Sequence, residues 1–165
     1  MEKRDELLKA IFDAQDETYN LMTSFDTQFH RYGEIVIYEA EANIIDLIGA
    51  QPGITVTELA NLLRRTPSAC SQIVRKLRNK GWVEQKRNPR NNRIYNLILT
   101  DNGKQLYENY QSYLREYRIR ASRYLAEFTE QELEDQLRVQ RKLNKSYESY
   151  MKDVEQGCFD GKTEK

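Results

Sequence analysis

Residues 55–99 read TVTELANLLRRTPSACSQIVRKLRNKGWVEQKRNPRNNRIYNLIL, and their pattern indicates the architecture of the chain. Thr55 and Glu58 have the spacing of a capping box, in which each side chain satisfies a free backbone N–H of the first helical turn. A second short helix is predicted from Pro67, with Thr66 as its N-cap. The segment therefore begins with two short helices joined by a tight turn.

A β-hairpin is expected after the second helix, which we predict to end at Gly81. Residues 82–86 and 93–99 have the composition of strands, and the basic segment 87–92 between them is rich in turn-forming residues. We therefore expect a hairpin with a long loop. Two short helices followed by a basic hairpin form a winged helix-turn-helix.

Longer helices are predicted on both sides of this motif. Apolar residues recur at helical spacing over 5–30 and 35–50. Thr100 is the predicted cap of a further long helix, and Thr129 begins a second capping box that starts the last one. The expected order is four helices, two strands and two helices. The predicted fold class is mainly α with a small β-hairpin wing, a winged helix-turn-helix flanked by long N- and C-terminal helices.

The composition excludes several classes of protein. Charged residues make up 32% of the 165, yet the apolar residues fall in regular stripes that a disordered chain would lack. No run of 18 or more apolar residues is present, so no membrane span is expected, and the N-terminus lacks the apolar core of a secretory signal. Cys70 and Cys158 are too few and too far apart for a disulfide framework. We therefore expect a cytoplasmic protein with no membrane partner.

The charge is unevenly distributed, although the formal net charge of the chain is zero. From Arg64 to Arg93 there are ten basic residues and one acid, Glu84, so ten minus one gives this basic window a charge of +9. The rest of the chain must then sum to −9. Such asymmetry favours a nucleic-acid partner over the usual explanation of a charge run, which is a solvated face.

The second short helix has the pattern of a recognition helix. Its apolar stripe consists of Cys70, Ile73, Val74 and Leu77. Another face carries hydrogen-bonding side chains and no acid, as a helix in the phosphate-lined major groove requires: Ser68, Ser71, Gln72, Arg75 and Arg78. Its N-terminal half is expected to read bases, since Gln suits adenine and Arg suits guanine.

Other basic residues are better suited to phosphates or to the wing. Arg64, Arg65, Arg78 and Lys80 are predicted phosphate contacts, and the free N–H groups near Thr66 form another. The cationic hairpin tip is expected to enter a minor groove. The predicted DNA-binding residues are Arg65, Thr66, Pro67, Ser68, Ser71, Gln72, Arg75, Arg78, Lys86, Arg87, Arg90, Asn91 and Arg93.

Residues 54–106 resemble the MarR family of bacterial regulators. The resemblance is carried by Ile54-Thr55-Val56-Thr57-Glu58-Leu59-Ala60, Ile73-Val74-Arg75-Lys76-Leu77, Lys80-Gly81-Trp82-Val83 and Leu99-Thr100-Asp101-Asn102-Gly103-Lys104-Gln105-Leu106. It implies one MarR-like domain over 1–165 with a winged-helix lobe at 35–99 and helical dimerisation regions at 1–30 and 101–154. The polar segment 155–165 is predicted to be a frayed tail. The resemblance also implies a homodimeric transcriptional regulator, more often a repressor, that binds an inverted repeat of double-stranded DNA.

The wing departs from the family pattern in one respect. Family wings commonly carry Asp-x-Arg, in which the acid holds the arginine that enters the minor groove, whereas this chain has Asn91-Asn92-Arg93. Asn91 offers a hydrogen bond but no charge. Either Arg93 makes the groove contact from a looser wing, or Arg90 makes it instead.

The helical body suggests a dimer and an effector site. Tyrosines are concentrated in the last two helices, and tyrosine is enriched at interfaces because its ring buries area while its hydroxyl stays hydrogen-bonded. By resemblance to the family, a small aromatic or lipophilic effector would bind where body and lobe meet. The candidate lining is Phe25, Phe29, Tyr32 and Tyr38, for which ordinary core packing is the alternative.

Other activities have weaker support. The chain has one histidine, His30, and no metal or other cofactor is expected. Oxidant sensing by Cys70 or Cys158 is less favoured than an ordinary apolar role for Cys70. Motifs of common enzymes, such as a P-loop or H-E-x-x-H, are missing, so we do not expect an enzyme. The alternative function is a winged-helix protein-interaction module without sequence-specific DNA binding.

Overall fold

The structure is a computed structural model that describes residues 2–156, without the side chain of Glu155. Six helices and four strands follow one another in the described part of the chain. They are α1 (Glu2–Asp26), β1 (Phe29–Tyr32), β2 (Ile35–Tyr38), α2 (Glu39–Ala50), α3 (Val56–Leu63), α4 (Pro67–Asn79), β3 (Val83–Asn88), β4 (Asn91–Leu99), α5 (Asp101–Tyr124) and α6 (Glu130–Glu155). The chain divides into two compact units, Met1–Tyr117 and Arg118–Lys165. The predicted fold class, mainly helical with a hairpin wing and long terminal helices, is confirmed.

A first β-hairpin, which the sequence analysis missed, separates α1 from α2. The prediction of helix over 5–30 and from 35 onward was wrong here, because α1 ends at Asp26 and β1 pairs antiparallel with β2. Gly33 has a φ of +63° at the first position of the two-residue loop, where glycine is favoured. The β-branched run Ile35-Val36-Ile37 suits a strand better than a helix.

The winged-helix lobe is built around one hydrophobic core. Ile44, Ile48, Leu59, Leu77 and Leu97 are fully buried and come from α2, α3, α4 and β4. The two short helices begin as predicted, because Thr55 Oγ1 accepts from Glu58 N at 3.2 Å and Thr66 Oγ1 accepts from Ala69 N at 3.2 Å. Hydrogen bonds from Thr55 to the carboxylate of Glu58 lower the pKa of that side chain.

The wing has a shorter loop than predicted. β3 extends to Asn88 and β4 begins at Asn91, so only Pro89 and Arg90 lie between the strands. Asn88 Oδ1 accepts from the backbone N–H groups of Arg90 at 2.9 Å and of Asn91 at 3.2 Å. Asparagine favours tight turns in this way, and the side chain closes the turn that we had expected to be long.

The terminal helices leave many apolar side chains exposed. None of the residues of α1 is buried, and Leu7, Phe12 and Tyr19 are exposed. On α6, the exposed apolar residues are Leu133, Leu137, Val139, Tyr147, Tyr150, Met151 and Val154. No helix among residues 2–156 combines the length and the apolar character needed to cross a membrane. The predicted frayed tail falls outside the described residues beyond Gln156, while Glu155 still belongs to α6.

Candidate nucleic-acid interface

Helix α4 presents two contrasting faces. Cys70, Val74 and Leu77 are buried and hold the helix on the core. The predicted base-reading residues Ser68, Ser71, Gln72 and Arg75 lie on the exposed side, together with the predicted phosphate contact Arg78. No acid lies in the first turn of α4, so the positive end of the helix dipole is not neutralised. This face can therefore donate hydrogen bonds to an anionic groove.

The turn before α4 brings further predicted residues to the same end of the helix. Arg64 ends α3 in the left-handed conformation, with a φ of 51°, and Arg65 N donates to the carbonyl of Ala60 at 3.0 Å. Arg65, Thr66 and Pro67 are all exposed. The start of the recognition helix thus combines a cation with free backbone N–H groups, which suits a phosphate.

The wing presents the second group of predicted residues. Its cations and Asn91 are exposed at and near the tip: Lys86, Arg87, Arg90, Asn91 and Arg93. Lys86 Nζ lies 3.6 Å from a carboxylate oxygen of Glu84, the one acid of the basic window. Such an exposed pair contributes little and is easily exchanged for a phosphate contact.

Asn91 fixes the backbone of Arg93. Its Oδ1 accepts from the backbone N of Arg93 at 3.0 Å. The amide that replaces the family's aspartate thus still orders the chain at the arginine.

The guanidinium of Arg87 stacks over the ring of Tyr95, with Cζ 6.0 Å from the ring centre.

Side-chain contacts join the recognition helix to its surroundings. Arg78 Nη1 donates to Oε1 of Gln85 on β3 at 2.6 Å, which links α4 to the wing. Lys80 Nζ donates to both carboxylate oxygens of Glu41 on α2, at 2.9 and 3.0 Å. Lys80 is one of the predicted phosphate contacts, but its ammonium is already bound to an acid.

Sequence reasoning missed Glu41 and Gln85. Glu41 lies 39 residues before Lys80, and no local pattern connects them. Gln85 could have been found, because strand alternation places it on the same side of β3 as buried Val83. Gln85 is half-buried on that inner side, and its side chain accepts a hydrogen bond from Arg78.

The predicted effector residues occupy different environments. Phe29 and Tyr38 stack on each other across the first hairpin, with ring centres 4.0 Å apart, and both are exposed. Tyr32 is buried in the core and donates a hydrogen bond to Glu39. Phe25 packs against His30, whose Nε2 donates to the carbonyl of Phe25 at 2.8 Å. The effector site stays a prediction.

The sensor candidates are placed as follows. Cys70 is buried, and burial raises the pKa of its thiol, which disfavours the reactive thiolate. Cys158 lies outside the described residues. Within residues 2–156, no cluster of three or more His, Cys, Asp or Glu side chains could hold a metal ion.

Comparison with known proteins finds that part of the chain is similar to one family. Residues 37–95 match the sequence model of the MarR family. The predicted MarR resemblance is confirmed. The match covers α2, both short helices and most of the wing, so it contains all of the predicted DNA-binding residues.

Solved structures share the fold of this MarR-like chain. A crystal structure of a MarR family transcription regulator is 19% identical, with a TM-score of 0.73 over 92% of this chain and 96% of that one. Staphylococcus aureus MepR, in complex with DNA, is 20% identical, with a TM-score of 0.65 over 82% and 96%. Streptococcus pneumoniae FabT, also in complex with DNA, is 19% identical, with a TM-score of 0.57 over 93% and 98%. None of the curated proteins compared with the sequence matches it.

Proposed function

We propose that the protein is a homodimeric, sequence-specific DNA-binding transcriptional regulator and that it acts as a repressor. The observation that carries the proposal is the exposed, acid-free face of α4 beside a cationic wing. Residues 35–99 would read DNA, with the α4 face in the major groove and Arg93 or Arg90 in the minor groove. The DNA-bound structures of MepR and FabT, which share this fold, support this assignment.

The terminal regions, 1–30 and 101–154, would form the dimer as parts of one MarR-like domain. Large exposed apolar surfaces are unusual on monomers and mark interaction sites. Leu7 and Phe12 on α1 and Leu137 on α6 are each about half exposed, at 56%, 50% and 49%. A second copy of the chain is the proposed cover, and its two-fold symmetry would make the operator an inverted repeat.

A small aromatic or lipophilic effector at Phe25, Phe29, Tyr32 and Tyr38 is a further part of the proposal. The exposed stack of Phe29 on Tyr38 supports it, since a flat apolar ligand can extend such a stack. Tyr32, on β1 of the same hairpin, would contribute from its buried side through its contact with His30, whose ring centre lies 6.2 Å away.

The decisive experiment is selection of bound duplexes from a random DNA pool by the purified full-length chain at moderate salt. We expect an enriched inverted repeat, which Arg75→Ala would bind with relaxed preference at one base position in each half-site. Lys104→Ala is the matched control, because Lys104 is an exposed cation on α5 outside the basic window. A folded chain that enriches no sequence would contradict the proposal, and absence of any DNA binding would favour the protein-interaction module.

A further inference from the structure

The last turn of the recognition helix is attached to the first turn of α2 by Lys80. Its ammonium lies 2.9 and 3.0 Å from the two carboxylate oxygens of Glu41 and 4.9 Å from the ring centre of Trp82. The aromatic face and the carboxylate both stabilise the cation where it lies. A phosphate would have to compete with both partners for this lysine.

Glu41 is well placed to hold the lysine rigidly. It is only 5% exposed, and its carboxylate also lies 3.4 Å from the backbone N of Tyr38, which precedes α2. The acid therefore lies at the positive end of the α2 dipole with few alternative conformations. The backbone N of Lys80 donates to the carbonyl of Lys76 at 3.0 Å. The residue that pairs with Glu41 is therefore also hydrogen-bonded to the last turn of α4.

The same turn of α2 is attached to the rest of the first unit through Glu39. Tyr32 on β1 and Tyr110 on α5 both donate hydrogen bonds to this buried carboxylate. One helical turn thus binds α5 through Glu39 and the end of α4 through Glu41.

We propose that Glu41 and Lys80 are positioning residues for DNA binding, and that Lys80 acts through Glu41 instead of contacting a phosphate. The inference rests on the proposed function. It predicts a change in DNA affinity of the opposite sign to the change that charge alone would cause. Removing an acid near a DNA-binding surface should strengthen binding, whereas removing Glu41 should weaken it because the end of the recognition helix is released.

The test measures the affinity of the full-length chain for its enriched duplex at several salt concentrations. We expect Glu41→Gln and Lys80→Met each to weaken binding about tenfold, in line with loss of a hydrogen bond between charged groups. Neither should change the slope of log affinity against log salt. Glu58→Gln is the matched control, since Glu58 is the equivalent capping acid of α3 and is exposed.

Charge exchange separates positioning from loss of folding. Glu41→Lys and Lys80→Glu alone should weaken binding, and the double variant should recover part of the affinity because the ion pair is reformed. A tighter complex with Glu41→Gln, or a slope reduced by about 0.9 in Lys80→Met, would overturn the inference. If instead the wild-type chain enriches no sequence, or Arg75→Ala leaves base preference unchanged, the proposed function itself fails.

Discussion

A β-carbon at Gly103 would lie 2.0 Å from the carbonyl oxygen of Trp82. The first turn of α5 therefore rests directly on the backbone between α4 and β3. Thr100 strengthens this junction, since its Oγ1 donates to the carbonyl of Gly81 at 2.6 Å and accepts from Gly103 N at 3.1 Å. The Leu-Thr-x-x-Gly segment thus joins α5 to the wing. Only glycine fits at position 103, because any side chain there would meet the carbonyl of Trp82.

Gly103→Ala is accordingly expected to destabilise the protein by about 3 kcal/mol. Neither the first turn of α5 nor the backbone at Trp82 can yield without moving the wing. The free energy of unfolding in urea, followed by circular dichroism, measures the loss. Gly81→Ala is the control, with a φ of +73° and no atom within 4 Å of the added carbon. Its cost should be about 1 kcal/mol, the cost of a side chain in the left-handed region. Equal costs for the two variants would show that the close approach does not matter.

Most of the winged-helix lobe could be predicted from the sequence because its signals are local. Thr66 with Pro67 marked the start of α4, and Thr100 marked the start of α5, as the hydrogen bonds of both caps confirm. The outer face of α4 followed from helical periodicity alone. Such features involve residues within about one or two helical turns of each other.

The missed features depend on contacts between distant parts of the chain or on ambiguous short segments. The strand β1, Phe29–Tyr32, has only four residues, and its Phe29 also fitted the apolar stripe of the helix predicted over 5–30. The role of Glu39 could not be predicted, since its donor Tyr110 is 71 residues away. Hydrophobic periodicity gives little information about whether a short apolar run is helix or strand, and none about polar contacts between distant residues.

Arg78 has two proposed roles: its hydrogen bond to Gln85 aligns α4 with the wing, and its charge contacts a DNA phosphate. Substitutions at the two positions should separate these roles. We expect Gln85→Met to weaken DNA binding by about threefold, because a single hydrogen bond that aligns α4 with the wing is lost. Arg78→Met removes that bond and the proposed phosphate contact together. It should weaken binding further and lower the salt slope by about 0.9.

Affinity measurements over a range of salt concentrations distinguish these outcomes. Gln85→Glu provides a useful comparison, because it keeps an acceptor for Arg78 while adding an acid beside the proposed phosphates. If Gln85→Met lowers the salt slope as much as Arg78→Met does, the contact serves only to orient Arg78 toward DNA.

Stability should fall at alkaline pH because of Tyr32 and Tyr110. Burial, together with hydrogen bonds to the Glu39 carboxylate, raises the pKa of both phenols far above the ordinary value of 10.0. The folded protein therefore keeps two protons that the unfolded chain releases above about pH 10. The stability from these groups is fully present below that pH and is lost as the pH rises toward their folded pKa values.

The expected loss is about 1.4 kcal/mol per pH unit for each tyrosine. Urea unfolding of the wild type and of Tyr110→Phe between pH 8 and 11 measures it. The variant should be less stable at neutral pH, since Glu39 loses a donor, but its stability should fall less steeply above pH 10. Parallel curves for the two proteins would rule out Tyr110 as a source of the alkaline sensitivity.

The N-cap threonines allow the stability of a helix to be separated from its role in DNA binding. Thr66 and Thr129 each accept a hydrogen bond from the third helical N–H, at 3.2 Å for α4 and 3.3 Å for α6. Replacement of either by alanine should cost about 1 kcal/mol of unfolding free energy, because one N–H loses its acceptor. Only Thr66→Ala should also weaken DNA binding, since fraying of α4 displaces Ser68 from the proposed groove. Thr66→Ser keeps the acceptor and should restore both properties. Weakened binding by Thr129→Ala to the same extent would mean that global stability, not the start of the recognition helix, limits affinity.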